Sequence, residues 1–281
     1  MFLEAVTWGM LGLIVGSFTN VLILRHGHAS LMGRSACPRC KRELEWYELV
    51  PVLSWLVLRG RCRTCHARIS LQYPAVELLM GGLFVAIGLA PVSSVVRIVG
   101  CAIAILLVAI AVYDLRHTIM PDSWVYGFAG LSLFGSTFAI ALEGEASVSS
   151  VSLLLVAGPL TAFPLWFLWR ISGGRWMGFG DVKFALGMGW LLGAWQGFVA
   201  LTLAFVIGAI VGVGVLLPLP YFFQALRSIG ITGFHATTRG FTMKSEVPFG
   251  PFLIFSTCIV WISLLHGVDI ASYLTGLFFL Y

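Results

Sequence analysis

The stretch VVRIVGCAIAILLVAIAVYDL, residues 95–115, decides the fold. A hydrocarbon core about 30 Å thick takes about 20 apolar residues per helix, and this run supplies that length before closing on an aspartate, Asp114. Similar runs recur near 2–24, 71–90, 123–142, 151–170, 184–203, 204–223 and 251–279. The chain therefore reads as an all-α polytopic membrane protein of about eight transmembrane helices. Of its 281 residues 59% are hydrophobic and 10% charged, where a soluble domain carries about 25% charged residues. Mean hydropathy is +0.97. Residues 184–223 are continuous apolar sequence, so an even division there is arbitrary, and Gly193-Ala-Trp-Gln196 is an earlier candidate turn. The first run lacks a basic start and a small-residue cleavage site before Arg25, so it reads as a retained span rather than a signal peptide.

Charge placement orients these spans. Nine of the 17 Lys and Arg lie between Arg25 and Arg68, beside only Glu43, Glu45 and Glu48. In a membrane protein such a patch is first an orientation signal and not a nucleic-acid surface, so the expected partner is the lipid bilayer. With 25–70 cytoplasmic, both termini fall outside, and the loops at 116–122, 171–183 and 224–250 are cytoplasmic. These carry Arg116, Arg175, Lys183, Arg227, Arg239 and Lys244, whereas the outer loops near 91–94 and 143–150 carry no Lys or Arg. The bias agrees at every loop that can be read.

Cys37-Pro-Arg-Cys40 and Cys62-Arg-Thr-Cys65 are two CxxC pairs separated by 21 residues. Each CxxC turn presents two thiolates, and two turns close a tetrahedral shell, which suits structural zinc. A cytoplasmic site disfavours disulfides. Redox-active dithiols and free thiols are the alternatives. A closed four-thiolate site has no open position for substrate, so its expected role is to order a loop that lacks a core. Cys101 and Cys258 lie inside apolar spans and read as core residues.

With 12 acidic residues in the chain, each one near the bilayer is informative. Glu77, Asp114, Asp122 and Asp181 are candidates, with Asp269 near the outer end of the last span. Asp114 ends the third span and Asp181 opens the sixth, so both lie at the cytoplasmic border although 67 positions apart. Two carboxylates facing each other cannot both ionise easily: one can act as base on water while the other, protonated, polarises a peptide carbonyl. That is aspartyl-protease chemistry. Gly178 and Gly180 allow close backbone approach and let substrate lie extended beside Asp181. Plainer readings stand beside these. Asp122 follows Pro121 and suits a helix N-cap, as does Asp181. Glu77 can pair with a basic residue across the bundle or hydrogen-bond to a neighbouring helix, Lys183 can be an orientation charge, hold substrate or bias the nearby carboxylates, and His117 reads as a solvated loop residue.

These pieces, taken in order, resemble the prepilin peptidases, or type IV leader peptidases, over nearly the whole chain. The resemblance rests on Gly16-Ser-Phe-Thr-Asn-Val21 with Arg25, Ser35-Ala-Cys-Pro-Arg-Cys40, Pro51-Val-Leu-Ser54, Cys62-Arg-Thr-Cys65, Ile69-Ser70 and Tyr73-Pro-Ala-Val-Glu77. The second half adds Asp114 with Pro121-Asp122, Gly178-Phe-Gly-Asp-Val-Lys183 and Val247-Pro-Phe-Gly-Pro251. It implies a bacterial inner-membrane enzyme that removes the leader of type IV prepilins or pseudopilins at the cytoplasmic face. Asp114 and Asp181 match the two catalytic aspartates and Asp122 a neighbouring motif residue; Gly178, Gly180, Lys183 and Glu77 would support substrate. Members with the tetracysteine loop usually also N-methylate the new amino terminus with S-adenosylmethionine, and the N-terminal loop, including Glu77, is the expected neighbourhood of that activity. His26-Gly27 stands where the family commonly has leucine-proline, and Met120 replaces isoleucine or leucine before Pro-Asp. The expected organisation is residues 1–24 as first transmembrane helix, 25–70 as cytoplasmic cysteine-rich loop and 71–281 as transmembrane aspartyl peptidase domain.

Three other functions compete. A peptidase without methylation differs only in the mass of its product. A transporter or channel would use the aspartates as proton or cation sites, yet the duplicated half-sequence that many transporters carry is missing. A membrane-tethered zinc module would bind partners through the basic loop.

Overall fold

The computed structural model describes residues 1–27, 30, 33–142, 144, 147–216, 248–270 and 272. Among them the regular structure is helical: α1 (Phe2–Arg25), a short α2 (Leu53–Val57), α3 (Gln72–Gly88), α4 (Ser94–His117), α5 (Asp122–Leu142), α6 (Val148–Ser172), α7 (Phe179–Leu192), α8 (Ala194–Ala209) continuing into a π-helical stretch Ile210–Leu216, and α9 (Gly250–Leu265). Phe2–Arg25, Ser94–His117, Asp122–Leu142, Val148–Ser172 and Ala194–Gly214 are long and apolar enough to cross a membrane. The helices α3, α7 and α9 are shorter, at 17, 14 and 16 residues. The chain is an all-α multi-spanning membrane protein.

The break between the sixth and seventh helices corrects the even division expected at 203–204. Gly193 ends α7 and caps α8 at φ 79°, ψ 165°, a conformation closed to other residues, so the turn falls ten residues earlier. The last span also differs: α9 ends at Leu265, with His266 and Gly267 in a turn. Most of the 224–250 loop, and the expected tail of that span beyond 272, lie outside the described residues.

In lipid the hydrophobic effect does not drive helices together, and close packing takes its place. Gly12 and Gly16, four residues apart on α1, abut the α3 backbone. A Cβ at Gly12 would stand 2.8 Å from Gly81 Cα, and one at Gly16 would stand 2.8 Å from Glu77 Cα. Between α5 and α7 the contact is aromatic, with Phe128 stacked on Phe184 at 4.7 Å. Both rings are wholly buried.

One end of the bundle gathers the C-termini of α1, α4 and α6 with the N-termini of α3, α5, α7 and α9. His26, just past α1, packs its ring 5.4 Å from Tyr113 and 4.3 Å from Trp124, tying α1 to the α4–α5 turn. The cysteine-rich segment leaves from and returns to this same end. At the other end Gln196 donates to Asp269, which gives that acidic residue a structural partner.

Candidate active site

Asp114 lies three residues before the end of α4, and Asp181 is the third residue of α7. Both are buried, at 5% and 8% exposure, so neither is a solvated loop carboxylate. They lie near enough for the charge on Asp114 to act directly on Asp181. Gly178 is the N-cap of α7, in extended conformation, and the Asp181 carboxylate lies on the side of this cap, with Oδ2 3.9 Å from where a Gly178 Cβ would stand. The N-cap reading of Asp181 is thus corrected: the cap is Gly178, and Asp181 lies in the first turn of the helix.

The helices α4 and α7 share little direct contact. Instead α5 and α9 each pack against both of them and hold the two aspartates together. Met120, in the α4–α5 turn, is the shared neighbour. A Cβ on Gly180 would stand 3.3 Å from Met120 Cβ, so the glycine lets that turn approach α7. On the far side of Met120 lies Gly250, the first residue of α9. A Cβ on Gly250 would overlap both the Met120 methyl and Asp114 Oδ2. Gly180 and Gly250 thus both leave room for Met120, one on α7 and one on α9. The sequence had marked Gly250 only as part of a proline-rich turn. Its flanking prolines gave the one available signal, since they place it at a helix start.

Asp122 is the first residue of α5, and the α5 turn closes on the Pro121 carbonyl. Its carboxylate accepts from Lys183 Nζ at 2.8 Å, and the same ammonium lies over the rings of Tyr126 and Phe179 at 5.5 and 5.4 Å. The N-cap reading of Asp122 gives way to this ion pair between α5 and α7. Lys183, expected as an orientation charge or a bias on the carboxylates, is its other half. Tyr113 stacks on His117 at 4.4 Å and edges against Trp124 at 5.5 Å, so His117 belongs to an aromatic cluster beside Asp114.

Glu77 is buried in the α1–α3 seam, and of its two expected roles the structure shows hydrogen bonding and, among the described residues, no ion pair. Its Oε2 accepts from Val52 N–H at 2.7 Å. One turn below, Asn20 donates to the Tyr73 carbonyl at 3.2 Å and accepts from Gln72 at 3.3 Å. The motif residues around Gly16 and Tyr73 thus form one polar seam between α1 and α3.

Cys37, Cys40, Cys62 and Cys65 converge, with all four sulfurs within 4.8 Å of one another. Cys37 and Cys65 Sγ are 3.8 Å apart. Four thiolates about 2.3 Å from a tetrahedral ion stand about 3.8 Å from each other, so the quartet has the dimensions to hold a metal ion. The two knuckles are built alike: Cys37 N–H donates to the Arg42 carbonyl at 2.9 Å and Cys62 N–H to the Ala67 carbonyl at 2.8 Å. Backbone N–H groups of Cys40 and Arg39 draw the Cys37 thiol down to about 6, against burial. The Cys65 and Thr64 amides likewise lower Cys62. The Ala67 amide favours the Cys65 thiolate, but burial and the neighbouring sulfurs outweigh it and push that thiol up to about 11.

Two family profiles match the chain: the bacterial peptidase A24 N-terminal domain over residues 10–90, and the type IV leader peptidase family over residues 101–213. Three relatives share the name prepilin leader peptidase/N-methyltransferase. The protein of Aeromonas hydrophila is 32% identical over 249 residues, covering 88% of this chain and 76% of the relative. That of Stutzerimonas stutzeri is 30% identical over 298 residues, covering 94% and 92%. That of Myxococcus xanthus (strain DK1622) is 38% identical over 225 residues, covering 76% and 64%. No solved structure matches the chain significantly. A tetracysteine cluster, two buried aspartates at one end of a helical bundle and these matches converge: the chain belongs to the type IV leader peptidase family.

Proposed function

We propose that this protein cleaves the leader from type IV prepilins or pseudopilins at the cytoplasmic face of the bacterial inner membrane, with Asp114 and Asp181 as the catalytic pair. The observation that carries the proposal is the pair itself: two buried carboxylates from helices with little mutual contact, close enough to repel. Such a pair favours the singly protonated state. The ionised carboxylate takes a proton from water, and the resulting hydroxide attacks the scissile carbonyl carbon. The protonated carboxyl donates to the carbonyl oxygen as the tetrahedral diol forms. Collapse breaks the C–N bond as a proton passes to nitrogen, leaving a free carboxylate on the leader and a free amine on the pilin. Gly178 and Gly180 keep side chains away from the path of the peptide. Lys183 and Asp122 support the pair by clamping α7 to α5.

The relatives' shared name extends the proposal to a second activity, transfer of a methyl group from S-adenosylmethionine to the nitrogen of the new amino terminus, which loses a proton. The tetracysteine cluster is proposed to hold structural zinc. On this reading residues 1–24 form a first transmembrane helix, 25–70 a cytoplasmic cysteine-rich loop and 71–281 the peptidase domain.

The test is cleavage of a prepilin by protein reconstituted in lipid. Asp114→Asn and Asp181→Asn are each expected to abolish cleavage while the thermal melt stays near that of the parent. General acid–base catalysis contributes about 10²–10⁴-fold, so a variant that cleaves at the parent rate removes its aspartate from the mechanism. The mass of the processed pilin, with or without one added methyl group, decides the second activity.

A further inference from the structure

The segment between α1 and α3 carries an apolar face that its own small core leaves uncovered. On α2, Leu53, Leu56 and Val57 are 61%, 56% and 80% exposed, and at positions i, i+3 and i+4 they form one stripe. Trp46 and Leu49, in the single turn just before, are 78% and 41% exposed. A groove of about 380 Å³ runs beside this stripe, lined by Tyr47, Leu53, Val57, Leu58 and Arg63.

The position of the stripe is fixed by a bond into the bundle. Val52, the residue before α2, has φ 60° and donates its N–H to Glu77 Oε2. Glu77 is the sixth residue of α3, about 8 Å along its axis at 1.5 Å per residue. At 17 residues α3 is about 25 Å long, short of a hydrocarbon core of about 30 Å. The Val50–Leu53 turn therefore sits alongside the first turns of α3, where, with α3 crossing the bilayer, irregular backbone must be satisfied by protein. Glu77 meets that requirement. The short α2 follows at once and cannot carry its stripe far from the bilayer boundary. Immediately after it come four exposed cations, Arg59, Arg61, Arg63 and Arg68.

We infer that residues 46–57 form a membrane-embedded wedge, with Trp46, Leu49, Leu53, Leu56 and Val57 among the acyl chains of the leaflet and the arginines that follow against anionic lipid headgroups. An exposed apolar stripe beside a basic rim is the pattern of an interfacial helix. The wedge makes up the shortfall of α3 and holds the cysteine knuckles against the membrane surface. This inference rests on the fold and not on the peptidase reading.

Site-directed photo-crosslinking tests it on the full chain, in vesicles of phosphatidylcholine with a variable share of phosphatidylglycerol. A diazirine-bearing aliphatic side chain replaces Leu56 or Val57 in turn, and Glu43, exposed on the first knuckle, is the water-facing reference. Metal content of each variant reports that the knuckles still fold. Lipid adducts at 56 and 57 are expected to exceed those at 43 several-fold and to rise with the phosphatidylglycerol share. The combined Arg59→Gln, Arg61→Gln and Arg63→Gln substitutions are expected to flatten that rise. Equal adduct yields at 43 and 57 would overturn the inference, as would adducts at 57 that fall on a prepilin or on a second copy of the chain instead of lipid.

Discussion

Gly250 has no side chain, and the space one would fill already holds the Asp114 carboxylate and the Met120 methyl. In Gly250→Ala both must move, because each lies well inside contact distance of the new Cβ, so the Asp114 carboxylate is displaced along with the Met120 methyl. A misplacement of about 1 Å at a reacting group costs about 10²-fold in rate, so cleavage should fall by that order while the melt changes little. Parent-level cleavage by Gly250→Ala would show that the contact does not position Asp114. The ion pair of Lys183 with Asp122 makes the opposite prediction. The Asp122 side chain is 63% exposed, and exposed pairs contribute about 0.2–1 kcal/mol. Asp122→Asn should therefore melt near the parent and keep at least partial cleavage. Loss of cleavage as complete as in Asp181→Asn would place Asp122 inside the chemistry.

Among the elements, the α1–α3 seam depends on small residues. Gly16→Leu would drive a side chain into the α3 backbone at Glu77, and overpacking of this kind costs about 1–3 kcal/mol. Lower resistance to denaturation in detergent, with metal content unchanged, is the expected outcome. The knuckle segment has its own electrostatic dependence. Burial works against the Glu48 carboxylate, but the Glu45 amide and the Arg42 guanidinium, 2.5 Å from Glu48, outweigh it and hold the carboxyl below its ordinary 4.5. A depressed carboxyl contributes stability that is complete above 4.5 and is lost as pH falls through the lower folded value. Amide exchange in 42–48 should accelerate across that acid window, and Glu48→Gln should remove the step. Chelation, or serine at both Cys37 and Cys62, should release one metal ion per chain and loosen residues 35–69 at neutral pH.

At the scale of the molecule the aspartates meet only because α5 and α9 bridge their helices. Phe128→Ala, which empties the α5–α7 stack, should cost about 3–5 kcal/mol and depress cleavage through the distance between the carboxylates. Cleavage unaffected by that loss would mean that α9 alone suffices. The sequence by itself determined the membrane fold and the rarity of Asp114 and Asp181, because hydropathy, run length and charge are properties of local composition. It also determined the cysteine quartet, since CxxC fixes two sulfurs within one turn and two such turns need only meet. The order of its motifs pointed to the family. It could not separate α7 from α8, because apolar residues continue through the break and only the positive φ of Gly193 marks it. Tertiary structure alone decided that Asp122 pairs with Lys183, that Glu77 holds the Val52 turn and that Gly250 faces Asp114. Each joins residues far apart in the chain, and in lipid such partners are chosen by close packing and hydrogen bonding between helices, which no single segment encodes.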